Sequence, residues 1–340
     1  MIRKESSLHP HLEKLWTRAS SVCGMVISLK LSIVIPTKNR VNELRELLQV
    51  LIRQTTLPNE ISVVDDSNNG EAMKLVEQKQ GDFSSKGILL KYLRGDQKKK
   101  SISAARNIGT ANSTGDIICF LDDDVILADN FLLEILRVYE THPEAKGVQG
   151  YITNFAPSHS AFSHALDKVL FCFLRLYCEP NKCKAFPFIY PYPVTRLIEC
   201  EWAIGADSSY RKDVLEDFEF DENFTGYSLC EDIDLSYRIQ ERYAGSVYMT
   251  PSARVVHKQS RAARISDKRF AYTMAAYPVY FFHKNIRQTV LNNVIFYWGF
   301  FVGRFIREIL VRNNPIGTMF VIGATFKVLR HFQEIRNGNL

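Results

Sequence analysis

Carboxylates gather at three places in this chain: Asp65-Asp66, Asp122-Asp123-Asp124, and Glu231-Asp232 with Asp234. Three consecutive aspartates are costly, because like charges a few ångströms apart raise one another's pKa unless a cation neutralises them. Along an extended segment alternate side chains share a face, so Asp122 and Asp124 are expected to point together and Asp123 away. Such a pair of oxygen ligands suits a hard divalent cation, Mg²⁺ or Mn²⁺, better than zinc. The competing assignment is an acidic cap for a helix beginning near Asn130. In the third group, Leu235 and Ile239 supply an apolar helical face, which puts Glu231, Asp232 and Asp234 in a first helical turn. There the helix dipole favours negative charge, and one of the acids could serve as a general base. Ordinary helix-start acids would look the same; what sets these apart is their company, a Gly226 turn before them and Pro251 and His257 after.

The elements that must position these groups can be read from periodicity. Leu31–Pro36 predicts a strand, stopped by proline and followed by Thr37-Lys-Asn-Arg40 and a helix with Leu44, Leu47, Leu48 and Leu51 on one face. Glu60–Val64 predicts a second strand, entering the Asp65–Gly70 turn and a helix over Ala72–Gln80. Gly87–Leu93 leads to a helix over Ser103–Ser113, and Asp116–Leu121 ends at Asp122. Strands alternating with helices predict an α/β fold with a Rossmann-like open mixed, largely parallel sheet flanked by helices. Ligands bind such sheets beyond the carboxyl ends of the strands, so Thr37–Arg40, Asp65-Asp66 and Asp122–Asp124 should converge on one crevice. Residues 151–200, with the aromatic and proline-rich run Phe186–Pro193, predict a loop-rich excursion with acceptor contacts. At 340 residues, 46% hydrophobic and 24% charged, the chain is not globally disordered and fits one large domain with an appendage. Its 7 cysteines lack regular spacing, which predicts reduced thiols in a cytosolic setting and neither a disulfide framework nor a zinc site. The short apolar stretch Val22–Leu31 makes a poor secretory leader.

In chain order, Ser32-Ile-Val-Ile-Pro-Thr-Lys-Asn-Arg40, Val63-Val-Asp-Asp66, Ala105-Arg-Asn-Ile-Gly109, Gly115-Asp-Ile-Ile-Cys-Phe-Leu-Asp-Asp-Asp124, Gly205-Ala-Asp-Ser-Ser-Tyr-Arg211 and the Glu231-Asp232 helix start resemble the inverting glycosyltransferases of family 2. The resemblance runs from Leu31 to Gln259. Each motif is weak alone, and their shared order makes the match specific. It implies the nucleotide-sugar-binding fold called GT-A, and transfer of a sugar from a nucleotide-diphosphate sugar to an acceptor hydroxyl with inversion. By position it implies Thr37, Asn39, Asp66, Arg106, Asp122 and Asp123 at the donor, with Asp66 facing the base. It further implies Asp124 and His257 at a Mg²⁺ or Mn²⁺ ion, and Asp232 as catalytic base with Glu231 in support. No GxGxxG follows the first strand, which argues against dinucleotide binding. Two alternatives stay open: a sugar-phosphate nucleotidyltransferase, which would want a glycine-rich loop where Pro36–Arg40 stands, and a non-catalytic membrane-bound member of the fold, against which Asp122, Asp124 and Asp232 argue. Processive synthases of the family carry Gln-x-x-Arg-Trp beyond the base; Arg238–Tyr243 has neither the Trp nor the spacing, so addition of a single sugar is expected.

The net charge of +6 is unevenly spread. Residues 252–340 hold 14 Lys/Arg against 3 Asp/Glu, giving +11 there and −5 for the remainder. Within them Val290, Val294, Tyr297, Phe301, Phe305 and Ile309 recur at helical spacing, with Arg304, Arg307 and Arg312 on the other face. The longest uncharged stretch, 288–303, is shorter than the ~20 residues that span a bilayer. An interfacial helix on an anionic membrane surface is expected, with Tyr297 and Trp298 near the headgroups. Packing of these helices on the catalytic domain is the alternative. Nucleic-acid binding is not expected, because the basic residues interleave with apolar runs and no binding motif occurs. The expected plan is an extension over 1–29, a GT-A domain over 30–260, and a basic amphipathic helical, membrane-associating region over 261–340. It implies a protein peripheral on the cytoplasmic face of the cell membrane, acting on a sugar or polyprenyl-linked acceptor, a precursor of a cell-surface glycan.

Overall fold

The computed structural model describes residues 29–155, 161–170, 177–226, 229–260, 266–307, 309 and 315–340. Strands β1 (Leu31–Thr37), β2 (Glu60–Asp65), β3 (Leu89–Arg94) and β4 (Ile117–Phe120) pair in parallel in the order β3-β2-β1-β4. Thr37 stands opposite Asp65 and Val34 opposite Phe120, so the carboxyl ends of β1, β2 and β4 open on one edge. The sheet continues with β10 (Ser208–Arg211), which leads into the helix α6 (Lys212–Asp217) and is antiparallel to both β4 and β6 (Gly147–Ile152), then β11 (Val247–His257), parallel to β6. Last comes β5 (Val125–Leu127), antiparallel to β11, which also pairs with the short β9 (Ile198–Glu199). β7 (Tyr177–Glu179) and β8 (Ile189–Pro191) form a separate parallel pair. The predicted excursion over 151–200 therefore carries the end of β6, three short strands and the helix α5 (Ala161–Leu170).

Both sheet faces are covered, which is why β1, β2 and β4 are buried from end to end. On one side Ile33, Ile35, Ile61 and Val63 pack on α1 (Val41–Leu51) and α2 (Glu71–Ser84), and Val125 and Leu127 on α4 (Phe131–Thr141). On the other, Val34, Val64, Ile118 and Phe120 join a core to which α3 (Ile102–Ala111) contributes Ala105 and α7 (Glu231–Arg242) contributes Leu235 and Ile239. The same core includes Ala275, Val279 and Phe282 of α8 (Asp267–Asn285). It continues into α9 (Val290–Tyr297), a π-helical turn (Trp298–Gly303), α11 (Pro315–Arg330) and α12 (Phe332–Arg336), through Phe296, Phe300, Val328 and Ile335. The last helices thus share a core with the sheet. Asp234, fully buried, fastens α7 to α8 by accepting from Arg238, Lys284 and Asn285.

One expectation about the tail is reversed. Of the expected stripe, Val290, Val294, Phe305 and Ile309 face outward, whereas Tyr297 and Phe301 are half-buried against the core, Tyr297 with its hydroxyl 3.0 Å from His283 Nε2. Arg304 and Arg307, expected on the polar side, are buried; Arg304 donates to the Ala271 carbonyl of α8 at 3.1 Å. Both belong to α10 (Arg304–Arg307), and Phe296 of α9 and Phe300 of the π-helical turn are buried as well. Arg312 and residues 1–28 lie outside the described residues. Among the described residues no helix is long and apolar enough to cross a membrane.

Candidate active site

β4 ends at Phe120, and the chain crosses the sheet edge through Asp122-Asp123-Asp124 into β5. The antiparallel register of β5 on β11 sets His257 opposite Val125, one residue beyond Asp124. His257 Nε2 consequently lies 3.1 Å from Asp124 Oδ1 and 4.0 Å from Asp122 Oδ2. Asp122, Asp124 and His257 each offer a ligand atom, all within 4.8 Å of one another. Burial works against charge on the His257 ring, but the Asp124, Asp122 and Asp207 carboxylates outweigh it and hold its pKa above the ordinary value. Burial also disfavours ionised Asp124, yet His257, the Ser260 N–H at 2.8 Å and Arg40 keep its pKa low. Two carboxylates and an imidazole fit a hard divalent cation, and the cation would take the place of the imidazole proton. His257 Nδ1, buried without a partner, leaves the ring tautomer able to follow.

Asp123 turns away from this group. Its Oδ2 accepts from the Thr37 hydroxyl at 2.8 Å and its Oδ1 from Arg40 at 3.0 Å. Burial pushes it up to about 7 against the pull of Arg40. Thr37 and Asp123 therefore bind each other at the crossing of β1 and β4, and Asn39, in the left-handed region at φ 54°, gives its backbone N–H to Ser67. Asp66 lies at the neighbouring strand end with its own N–H on the Thr37 carbonyl. Burial pushes it up to about 6 despite Lys38 and Lys100. Its Oδ1 is buried without a partner, and a Cβ on Gly95 would fall 1.9 Å from that oxygen.

The two acidic groups meet through Arg106 of α3. Its guanidinium, 1% exposed, lies 2.8 Å from Glu231 and 3.1 Å from Asp122. A Cβ on Gly205 would come within 2.4 Å of it, so any other residue there would have to push the guanidinium from its place. That same Gly205 donates its N–H to Asp232 Oδ2 at 2.8 Å, while the Ile233 N–H holds Oδ1 at 2.8 Å. Cys230 enters α7 in the left-handed region at φ 75°, a strained conformation for a residue with a side chain. The turn leaves Glu231 buried on Arg106 and Asp232 partly exposed beside it. Burial pushes both carboxyls up and Arg106 opposes it, so the pair titrates as a unit and carries a proton more readily than two separate acids.

Sequence reasoning named Asp122, Asp124, His257, Arg106, Glu231 and Asp232, and the structure brings these six together; Thr37, Asn39, Asp66 and Asp123 line the adjoining strand ends. It passed over Arg40, the Gly205 N–H and Asp207, although all three lie within the quoted motifs, and Gly95, which lies in none. Asp207 is fully buried with both carboxylate oxygens unpartnered, and burial pushes it up to about 7. Cys119, Cys178, Cys183, Cys200 and Cys230 are buried thiols; Cys23 and Cys172 lie outside the described residues.

Residues 32–181 match the family model described as glycosyl transferase family 2. An uncharacterized glycosyltransferase of Bacillus subtilis, YwdF, is 32% identical over 146 residues, covering 41% of this chain and 52% of that protein. A glucosyl-dolichyl phosphate glucuronosyltransferase of Haloferax volcanii is 27% identical over 126 residues, 36% of this chain and 38% of that one. The chain thus spans about half the length of YwdF, and less of the other. In three dimensions it resembles the mannosyltransferase PcManGT of Pyrobaculum calidifontis, solved with GDP-Man and Mn²⁺, at a TM-score of 0.54 and 14% identity, covering 97% of this chain and 90% of that one. With the motifs, the sheet order and these matches in hand, residues 32–181 are similar to glycosyl transferase family 2 and the chain has the GT-A fold.

Proposed function

We propose that this glycosyltransferase moves a single sugar from a nucleotide-diphosphate sugar to an acceptor hydroxyl with inversion at the anomeric carbon, using Asp232 as general base. The observation that carries the reading is the Arg106 bridge, which joins the helix bearing Asp232 to Asp122 at the edge of the metal-ligand group. Asp232 is oriented by two backbone N–H groups and partly exposed to the crevice, as a base that must reach a substrate proton requires. It takes the acceptor proton as the oxygen attacks the face opposite the nucleotide, and no covalent intermediate on the protein is needed. Asp66, with an unpartnered carboxylate oxygen at the end of β2, suits a donor N–H of the nucleotide base. Asp122, Asp124 and His257 would hold Mg²⁺ or Mn²⁺, which when bound stabilises charge growing on the leaving diphosphate. The Mn²⁺ and GDP-Man bound by PcManGT support both the ion and the donor class.

A membrane-held acceptor belongs to the same proposal. Of the exposed large apolar side chains among the described residues, ten lie between Val290 and Leu329, a patch that water does not favour. With the basic charge of the same region it suits attachment to the anionic cytoplasmic face of a membrane. The dolichyl phosphate in the name of the Haloferax relative supports a lipid-linked acceptor. The test is a panel of nucleotide sugars with Mn²⁺ and polyprenyl-phosphate sugars, read by nucleoside diphosphate release and by NMR of the new linkage. Inverted anomeric configuration is expected; retention, or no turnover of any donor, overturns the reading.

A further inference from the structure

The π-helical turn Trp298–Gly303 widens the backbone between α9 and α10, a distortion frequent at functional sites. It turns Phe300 into the core and leaves Trp298 and Phe305 facing out. Opposite it runs α11, and between the two lies a cleft of about 230 Å³ whose walls include Phe301, Phe305, Ile322, Phe326 and Leu329, with Arg304 as its cation. A dry apolar cavity of ~150 Å³ already takes up benzene, so this cleft has room for a segment of hydrocarbon chain. It opens onto the exposed side chains of Phe305, Phe326 and Leu329, in the middle of the outward apolar patch.

We propose that this cleft binds the hydrocarbon chain of an acceptor sugar linked to a lipid phosphate, drawing it from the membrane toward the catalytic base. The proposal rests on the membrane-held acceptor proposed above and gives it a site. Continuity with the catalytic turn favours the acceptor over bulk lipid. Arg304, in the cleft wall, donates to the Ala271 carbonyl at 3.1 Å. Two residues earlier on α8, Arg269 packs on Gly226, with a guanidinium nitrogen 3.1 Å from where a Cβ would stand, five residues before the Glu231 helix start. Lys268 and Arg269 are exposed along this path and supply the charge that a phosphate head needs. Hydrocarbon in the cleft and phosphate at α8 would leave the head of the lipid on the Asp232 side.

The test measures calorimetric binding of farnesyl phosphate, inorganic phosphate and dihexanoyl-phosphatidylglycerol to the full chain, with UDP or GDP plus Mn²⁺ titrated into the same preparations. Farnesyl phosphate is expected to bind, and inorganic phosphate and the phosphatidylglycerol to bind far more weakly. Ile322→Trp, which fills the cleft, should weaken farnesyl phosphate roughly tenfold or more by displacing about two methylenes' worth of contact. Its melting temperature and nucleotide affinity should stay at the wild-type values. Leu329→Asp, at the cleft mouth, serves if the filled variant does not fold, and should weaken farnesyl phosphate in the same way. Wild-type affinity in a folded variant overturns the proposal, and so does equal binding of the phosphatidylglycerol. A wild type that binds nucleotide with Mn²⁺ but not farnesyl phosphate overturns this site and leaves the donor reading standing. Failure of nucleotide binding overturns the donor reading, whatever the lipid does.

Discussion

Replacing Arg106 with Met removes the one group among the described residues that bridges Glu231 and Asp122, while keeping most of the apolar volume of the side chain. Glu231 is 4% exposed and would be left without its counter-ion. Removing one partner of a buried pair costs about 3–5 kcal/mol, because the other charge stays behind without compensation. For 340 residues at roughly 2.1 cal/mol/K of unfolding entropy each, the melting temperature should fall by about 4–7 °C. Catalysis should suffer more, since Asp232 follows Glu231 and a misplacement of about 1 Å costs on the order of 100-fold in rate. Calorimetric melting and single-turnover release of nucleoside diphosphate would read the two effects separately. Arg106→Lys keeps the charge but lacks the planar fork that reaches two carboxylates, so it should melt nearer the wild type and still turn over slowly. Adding Glu231→Gln to Arg106→Met removes the stranded carboxylate and should restore most of the stability and little of the rate. An Arg106→Met enzyme that melts and turns over like the wild type refutes the bridge.

Other groups give independent tests. Asp124→Ala should weaken Mn²⁺, followed by electron paramagnetic resonance of the unbound ion, by more than the roughly 10–100-fold that loss of a supporting partner costs. Burial raises Asp207 from 3.8 to about 7, so the folded protein binds more protons than the unfolded chain between those values and loses stability as pH rises through them. Denaturant titrations should show the wild type losing about 1.4 kcal/mol per pH unit relative to Asp207→Asn between roughly pH 4 and 7. Parallel curves would contradict the assignment of that slope to Asp207. Phosphatidylglycerol vesicles should sediment the wild type but not a Leu291→Asp/Val294→Asp variant, and salt should weaken the binding because exposed charges are screened beyond a Debye length of ~8 Å at 0.15 M.

The first half of the sheet was legible because β1, β2 and β4 are short apolar runs bounded by turn residues, a local signal. β10 was not: Ser208–Arg211 reads as polar, and it is buried only because it inserts between β4 and β6, strands far away in sequence. Alternation predicted that Asp122 and Asp124 would meet, but His257 reaches them through the register of β5 on β11, which no local pattern encodes. Asp123 pointed away as expected, and its partners Thr37 and Arg40 belong to a different strand end. In the tail, helical spacing identified the apolar stripe but not which side faced the protein, since buried Phe296 and Phe300 lie beside exposed Val294 and Trp298. Helical spacing put Arg304 and Arg307 on the polar face; the carbonyl of Ala271, available on α8, explains how Arg304 can be buried.

Asp232→Asn tests the central claim most directly, because it leaves the size of the side chain unchanged and removes its capacity to take a proton. The account predicts that this variant binds nucleoside diphosphate with Mn²⁺ as the wild type does and transfers no sugar to any acceptor the wild type uses. Transfer at a rate comparable to the wild type would contradict it.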